Sequence, residues 1–328
     1  MKQNKPQTIT VLGDGAFGTA FATLLAHNGH TVHLWCHNPE VAIAIAAQHT
    51  NSKFLPDIEL SENIIPTTSL KDALANDIIF EAIPVQFMRS VLEQCKPYAK
   101  PSHRWIVLSK GIENDTLLLP TEIIKNTVDP QAVTAVVCGP SYARELALQQ
   151  PTGLCVGTTT QELNDKIRTL LKNSFVYCEP SDDIFGTQIA AALKNVIALA
   201  MGLLEGAGYD SNAQALLMVR ALQELKTVLH FVQSDENTLY GLAGVGDLVL
   251  TSFGNKSRNH HVGVMLGQGK NLATVLKETS SVPEGINTLK SLQQLILTHN
   301  LKLPIMSTIY EVVIAHKHIQ NLIKIVCN

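Results

Sequence analysis

The sequence predicts an α/β protein: a Rossmann-type N-terminal domain built on a parallel-rich sheet, followed by an all-α C-terminal domain. Three observations carry that expectation. A glycine-rich turn sits between a β-branched run and a helical stretch. Short apolar runs then alternate with helical or turn segments, and after Pro180 the strand signals fade into Ala/Leu-rich stretches of helical spacing. A length of 328 residues, against about 150 per domain, suits two domains with sizeable cores, divided here at 1–180 and 181–328.

Taken in order, Thr8 to Leu12 reads as a strand, Gly13 to Gly18 as a turn and Thr19 to His27 as a helix stopped by Asn28-Gly29. Thr31 to Trp35 resumes as strand, which completes a βαβ unit. Apolar runs recur at Ile78 to Ile83, Trp105 to Leu108, Ala132 to Cys138 and Leu154 to Gly157, as expected of strands covered by helices on both faces. The second half shows helical spacing at Ile184 to Leu204, Asn212 to Val232 and Thr288 to Leu297.

Composition excludes several classes. The chain is 45% hydrophobic and 16% charged, so it has the means to bury a core and does not read as disordered. A formal charge of -3 provides no global basic field for nucleic acid or anionic lipid, so any phosphate must be held locally. Six scattered cysteines without a C-x-x-C pair suggest reduced thiols, and Met1 to Gln7 lacks the apolar core of a signal peptide; both point to the cytoplasm. The apolar stretch Ile189 to Leu204 is interrupted by Lys194 and Asn195 and is expected to fall short of a membrane span.

The strongest local motif is Gly13-Asp14-Gly15-Ala16-Phe17-Gly18, a G-x-G-x-x-G between a strand and a helix. Gly13 permits the tight turn, Gly15 lets a pyrophosphate approach the backbone, and Gly18 allows close helix-on-strand packing. The helix N-terminus attracts the negative charge. Asp14 is awkward there, since an acid near phosphates must turn its side chain away. At the end of the second strand, where an acid usually accepts from the ribose 2′-hydroxyl, the sequence is Trp35-Cys36-His37-Asn38-Pro39. No carboxylate precedes Glu40, and His37 has the means to donate to a 2′-phosphate, so NADPH is expected to be accepted at least as well as NADH.

Lys194 has Ala190, Ala191, Ile197 and Ala198 as its helical neighbours, an odd setting for a solvated charge. A desolvated lysine is suited to proton transfer near neutrality; a snorkelling lysine or one paired with a carboxylate is the alternative. Gly241 to Leu248 brings three glycines and Asp247, and Ser257-Arg258-Asn259 sets a hydroxyl, a guanidinium and an amide side by side, suited to phosphate oxygens. An ordinary glycine-rich connection before an N-capped helix fits this stretch equally well. Ser109-Lys110-Gly111 and Gly139-Pro140-Ser141-Tyr142-Ala143 follow expected strands, where ligands of doubly wound sheets gather; alone, Ser141 reads as an N-cap and Lys110 as a solvated turn residue. His260-His261 and His316-x-His318 lack companions at metal spacing, so no metal site is expected.

Together, in this order and spacing, these segments, with Ala192-Leu193-Lys194-Asn195 and Val282-Pro283-Glu284-Gly285, resemble the NAD(P)-dependent glycerol-3-phosphate dehydrogenases of the bacterial type over nearly the whole chain. The resemblance implies hydride transfer with NAD(P)H between dihydroxyacetone phosphate and sn-glycerol 3-phosphate, for phospholipid synthesis, with Lys194 as proton donor and acceptor. It implies that Lys110, Gly139, Ser141, Asp247, Ser257, Arg258 and Asn259 line the substrate site. By the same carry-over Ala16, Phe17, His37, Lys110, Ala143, Arg258, Val282 and Glu284 face the nucleotide. A hydroxy-acid dehydrogenase of similar plan and a non-catalytic nucleotide-binding redox sensor are the competing readings. The apolar helices raise a homodimer as one outcome and interdomain packing as the other.

Overall fold

The computed structural model describes residues 5–254, 256–279 and 283–328. Its strands are β1 (Thr8–Leu12), β2 (Thr31–Trp35), β3 (Thr50–Asn51), β4 (Leu55–Glu59), β5 (Ile64–Thr67), β6 (Ile78–Glu81), β7 (Arg104–Val107), β8 (Val133–Cys138), β9 (Thr152–Thr158) and β10 (Val176–Ser181). Eight of them form one sheet in the order β10-β9-β8-β7-β6-β1-β2-β5, and β3 pairs with β4 apart from it. Every pairing in the large sheet is parallel except β8 with β9, which makes the sheet parallel-rich.

The central strands are apolar on both faces. Ile9, Val11 and Leu12 of β1 and Ile79 and Phe80 of β6 are fully buried, as helices on both sides of a sheet require. β1 has β2 on one side and β6 on the other, so the chain order reverses there and leaves a crevice at the carboxyl ends of these strands. The helix Ala16–His27 covers the sheet through Ala20, Phe21, Leu24 and Leu25, with the rings of Phe21 and Phe80 5.0 Å apart. Strands β5 and β10 carry no expectation from sequence, because Pro66 and Pro180 interrupt their patterns; both are edge strands, where a missing N–H is tolerated.

The chain divides into two compact units whose limits are not those of a single cut at 180. One unit comprises Met1–Ser109 and Pro120–Ile184; the other comprises Lys110–Leu119 and Phe185–Asn328. Lys110–Leu119 belongs with the helices for a physical reason. Ile112 and Leu119 lie in the helical core, the Ser291 hydroxyl donates to the Ile112 carbonyl at 3.0 Å, and Gln294 Nε2 donates to the Asp115 carbonyl at 3.0 Å.

The helical unit is organised around Ile184–Gly206, a helix of 23 residues. Contrary to the expectation from sequence, it is long and apolar enough to cross a membrane, with a mean hydropathy of 1.5 over its most apolar 18-residue window. Of that window 89% is buried inside the protein, so the helix serves as core. Helix Ser211–Phe231 buries Leu217, Ala221, Leu225, Val228 and Leu229 at helical spacing. Its buried Glu224 accepts from the backbone N–H groups of Ile305 at 2.7 Å and Met306 at 2.9 Å, and so caps helix Pro304–Val313. Burial pushes the Glu224 carboxyl above its ordinary pKa, against the pull of these bonds and of Arg220.

Two glycine pairs set a close helix crossing. Gly202 and Gly206 meet helix Arg258–Gly267, where a Cβ on either would overlap the carbonyl oxygen of His260 or of Val264. Gly263 and Gly267 return the contact against the carbonyls of Leu199 and Leu203. The backbones touch because all four positions lack side chains.

Candidate active site

In the first unit, β1 delivers the chain into the glycine turn. Gly13 has φ +120°, and a Cβ there would stand 2.8 Å from the Ala82 carbonyl oxygen. At Gly18 a Cβ would overlap the Gly13 carbonyl oxygen, so this position must stay bare for the helix to start where it does. Gly15, the N-cap of that helix, is different: a Cβ there would meet nothing within 4 Å. Open space above a glycine at a helix N-terminus is a cradle for a phosphate group, and the residues present fit a dinucleotide. Ala16 and Phe17 open the helix at the rim of this space.

The Asp14 side chain turns away from that cradle. Its carboxylate accepts from the backbone N–H groups of His37 at 3.4 Å and Asn38 at 3.3 Å, just beyond the end of β2, and the residue is 6% exposed. The His37 ring is exposed and lies 5.9 Å from the Trp35 ring. Burial first, and the Asp14 charge second, push the neighbouring Cys36 thiol up to about 12.

Gly139 ends β8 with φ +140°, where a Cβ would stand 2.6 Å from the Gly153 carbonyl oxygen. The Ser141 hydroxyl donates to the Gly139 carbonyl at 3.0 Å. The N-cap of helix Ala143–Ala147 is Tyr142, so Ser141 is not the cap that its isolated sequence suggests. At the end of β6, the fully buried Glu81 accepts from the Ser109 hydroxyl and from the Ile83 N–H, both at 2.6 Å. That carboxylate fixes the exit of β7, a role no sequence pattern announces. A recess of about 260 Å³ lined by Thr158, Gln161, Asn164 and Asp182 opens where β9 and β10 end. Because β9 runs against β8, it lies at the end of the sheet opposite the glycine turn.

In the second unit, three side chains meet around one carboxylate. Asp247 is 1% exposed; its Oδ1 accepts from Lys194 Nζ at 2.5 Å and its Oδ2 from Lys110 Nζ at 2.7 Å. Lys194 Nζ also donates to the Thr251 hydroxyl at 2.7 Å, and Thr251 donates to the Asp247 carbonyl at 2.7 Å. Burial alone would raise the Asp247 pKa; the ammonium groups of Lys110 and Lys194 outweigh it and hold the carboxyl below its ordinary range. Lys194 is 6% exposed. It is therefore both the desolvated lysine and the carboxylate-paired lysine that its sequence left as alternatives. Thr251 is the residue that sequence reasoning missed: its signal is the single helical turn separating it from Asp247.

The Ser257-Arg258-Asn259 segment opens helix Arg258–Gly267, with Ser257 as N-cap: its hydroxyl accepts from the His260 N–H at 3.2 Å. Arg258 is exposed. Asn259 is engaged at both ends of its amide: Nδ2 donates to Asn195 Oδ1 at 3.0 Å and Oδ1 accepts from the Gly285 N–H at 2.9 Å. It thereby ties the residue after Lys194 to the start of helix Glu284–His299. Burial pushes the Glu284 carboxyl up to about 7, against the lowering influence of Arg258, and its Oε2 is buried without a hydrogen-bond partner among the described residues. Val282 lies outside the described residues. Among the described residues no group of three or more His, Cys, Asp or Glu is placed to hold a metal ion.

Family models for the two halves of the NAD-dependent glycerol-3-phosphate dehydrogenases match residues 8–164 and 183–324. The chain belongs to this family. A glycerol-3-phosphate dehydrogenase [NAD(P)+] of Staphylococcus saprophyticus is 35% identical over 96% of this chain and 96% of its own. The glycerol-3-phosphate dehydrogenase structure from Coxiella burnetii has a TM-score of 0.94 and 27% identity, covering 98% of this chain and 99% of that one. The yeast glycerol-3-phosphate dehydrogenase superposes with a TM-score of 0.84 at 26% identity, covering 99% of this chain and 100% of that one. The chain is thus an NAD(P)-dependent oxidoreductase with the reaction of the glycerol-3-phosphate dehydrogenases, and the hydroxy-acid and redox-sensor readings give way.

Proposed function

We propose that Lys194 is the proton donor and acceptor in the interconversion of dihydroxyacetone phosphate and sn-glycerol 3-phosphate. The observation that supports this reading is its buried amine, aimed by Asp247 and Thr251. A bound nicotinamide dinucleotide supplies the hydride in one direction and takes it in the other. As the ketone carbon is reduced, its oxygen gathers negative charge, and the Lys194 ammonium passes it a proton; in the oxidative direction the amine removes the hydroxyl proton. The Lys194 and Lys110 ammonium groups, both held on Asp247, favour the developing alkoxide before the proton moves.

Phosphate binding falls to Arg258 and the N-terminus of its helix, where a guanidinium and the helix dipole act together. Ser257 and Asn259 hold that terminus in place, and Gly139 and Ser141 complete the substrate set. Gly13, Gly15, Ala16, Phe17, Gly18, His37, Lys110, Ala143, Arg258, Val282 and Glu284 are the residues assigned to the nucleotide in this reading. The reading extends to a cytoplasmic enzyme that supplies glycerol 3-phosphate for phospholipid synthesis and assembles as a homodimer. Oxidation of NADH or NADPH by the full chain is the test. Dihydroxyacetone phosphate is expected to support turnover, and 2-oxo acids are not; the reverse pattern would sink the assignment.

A further inference from the structure

We propose that Asp14 selects the nucleotide: its carboxylate stands in for the acid missing from the end of β2, favouring a free 2′-hydroxyl on the adenosine ribose over a 2′-phosphate. The proposal rests on the nucleotide-binding part of the reading above and deepens it.

The placement follows from the sheet register. β1 pairs with β2 at a constant offset of 23, from Thr8 with Thr31 to Leu12 with Trp35. The ladder continues one step further, since the Gly13 N–H donates to the Trp35 carbonyl at 3.1 Å. Asp14 therefore stands opposite His37, and its carboxylate reaches the N–H groups of His37 and Asn38. In dinucleotide-binding sheets the end of this second strand is where the adenosine ribose rests. Two backbone N–H groups and the His37 side chain are donors of the kind that would hold a 2′-phosphate. Asp14 engages the backbone pair and brings a negative charge, which repels a phosphate dianion and accepts from a hydroxyl.

The carboxylate is held in this position. The Asp14 carbonyl accepts from Asn51 Nδ2 at 2.8 Å and from the Thr19 hydroxyl at 3.2 Å, and Asn51 Nδ2 also donates to Thr19 Oγ1 at 2.8 Å. Asn51 and Thr19 are themselves buried. The nearby Glu40, in the first turn of helix Pro39–Gln48, adds charge of the same sign. The absence of an acid at Cys36 and His37, which alone pointed to NADPH, is thus offset by an acid arriving from the neighbouring strand.

The test is equilibrium binding of NADH and NADPH to the full chain at fixed ionic strength, read by nicotinamide fluorescence without triose phosphate. ADP-ribose and 2′-phospho-ADP-ribose serve as competitors. The wild type is expected to bind NADH at least about tenfold more tightly than NADPH. Asp14→Asn keeps an acceptor for the loop and removes the charge; it should narrow the ratio by about fivefold or more, through tighter NADPH binding. Asp14→Ala should move the ratio in the same direction, and melting curves of both variants report whether the fold holds. Equal or tighter NADPH binding by the wild type, or an unchanged ratio in Asp14→Asn, would overturn the proposal, as would equal weakening of both nucleotides. Failure of both nucleotides to bind the wild type would sink the cofactor reading itself; loss of triose phosphate turnover with binding intact would leave this inference standing and fault only the substrate.

Discussion

Residues 13–18 build the glycine turn within a single short stretch of chain, through backbone that three glycines leave bare. The cluster in the helical unit is assembled differently: Lys110 and Asp247 stand 137 positions apart, and Lys194 reaches a carboxylate 53 residues on. A site made of backbone tolerates changes in side chains but no added Cβ. A site made of charges on packed helices tolerates small shifts of backbone but no change of functional group. The contrast predicts how each half fails.

The largest effect is expected at Lys194. Lys194→Ala should lower kcat by about three orders of magnitude or more, within or beyond the range for a lost general acid, while nucleotide affinity stays within about twofold of wild type. Normal turnover in this variant would remove the catalytic distinction between the halves. Next come the glycines. Gly18→Ala must push against the Gly13 carbonyl and should cost about 1–3 kcal/mol in thermal or urea unfolding, with nucleotide binding weakened in proportion. Gly15→Ala meets open space and should leave the melting temperature unchanged while raising KM for the nucleotide. A melting loss at Gly15 equal to that at Gly18 would contradict the cradle.

The smallest effect concerns Glu284, whose carboxyl is pushed up to about 7 from an ordinary 4.5 by burial. The folded protein then retains a proton there that the unfolded chain releases. Its contribution to stability is greatest below pH 4.5 and is lost as pH rises toward 7. Glu284→Gln should flatten that part of the stability profile, measured as melting temperature against pH; an unaltered slope would show that the group titrates normally.

The fold was legible where one period dominates. The βαβ opening and the long apolar helix are read directly from alternation and helical spacing; strands β1 and β2 have the expected limits, and the first helix starts earlier and the long helix ends later than expected. Edge strands β5 and β10 were not, because proline breaks their pattern while the sheet edge accepts it. The grouping of Lys110–Leu119 with the helical unit was not legible, since nothing local marks a loop whose partners include Asp247, Ser291 and Gln294. Lys194 announced itself as a cation on an apolar face. Thr251 did not, as a threonine in a helix ordinarily bonds only its own backbone, and here it does that as well. Asp14 was visible as an anomaly, but its target became readable only with the register of β1 on β2.

The crossing of helices Ile184–Gly206 and Arg258–Gly267 has a mechanical consequence. Where carbonyl oxygens pack directly on bare α-carbons at four successive contacts, neither rod can slide or swivel without collision. The ammonium of Lys194 and the guanidinium-bearing terminus at Arg258 are carried on these two rods, so the distance between their backbones behaves as a fixed gauge. Under the roles proposed for Lys194 and Arg258, a phosphate ester one carbon longer or shorter than a triose would meet that gauge at the wrong length.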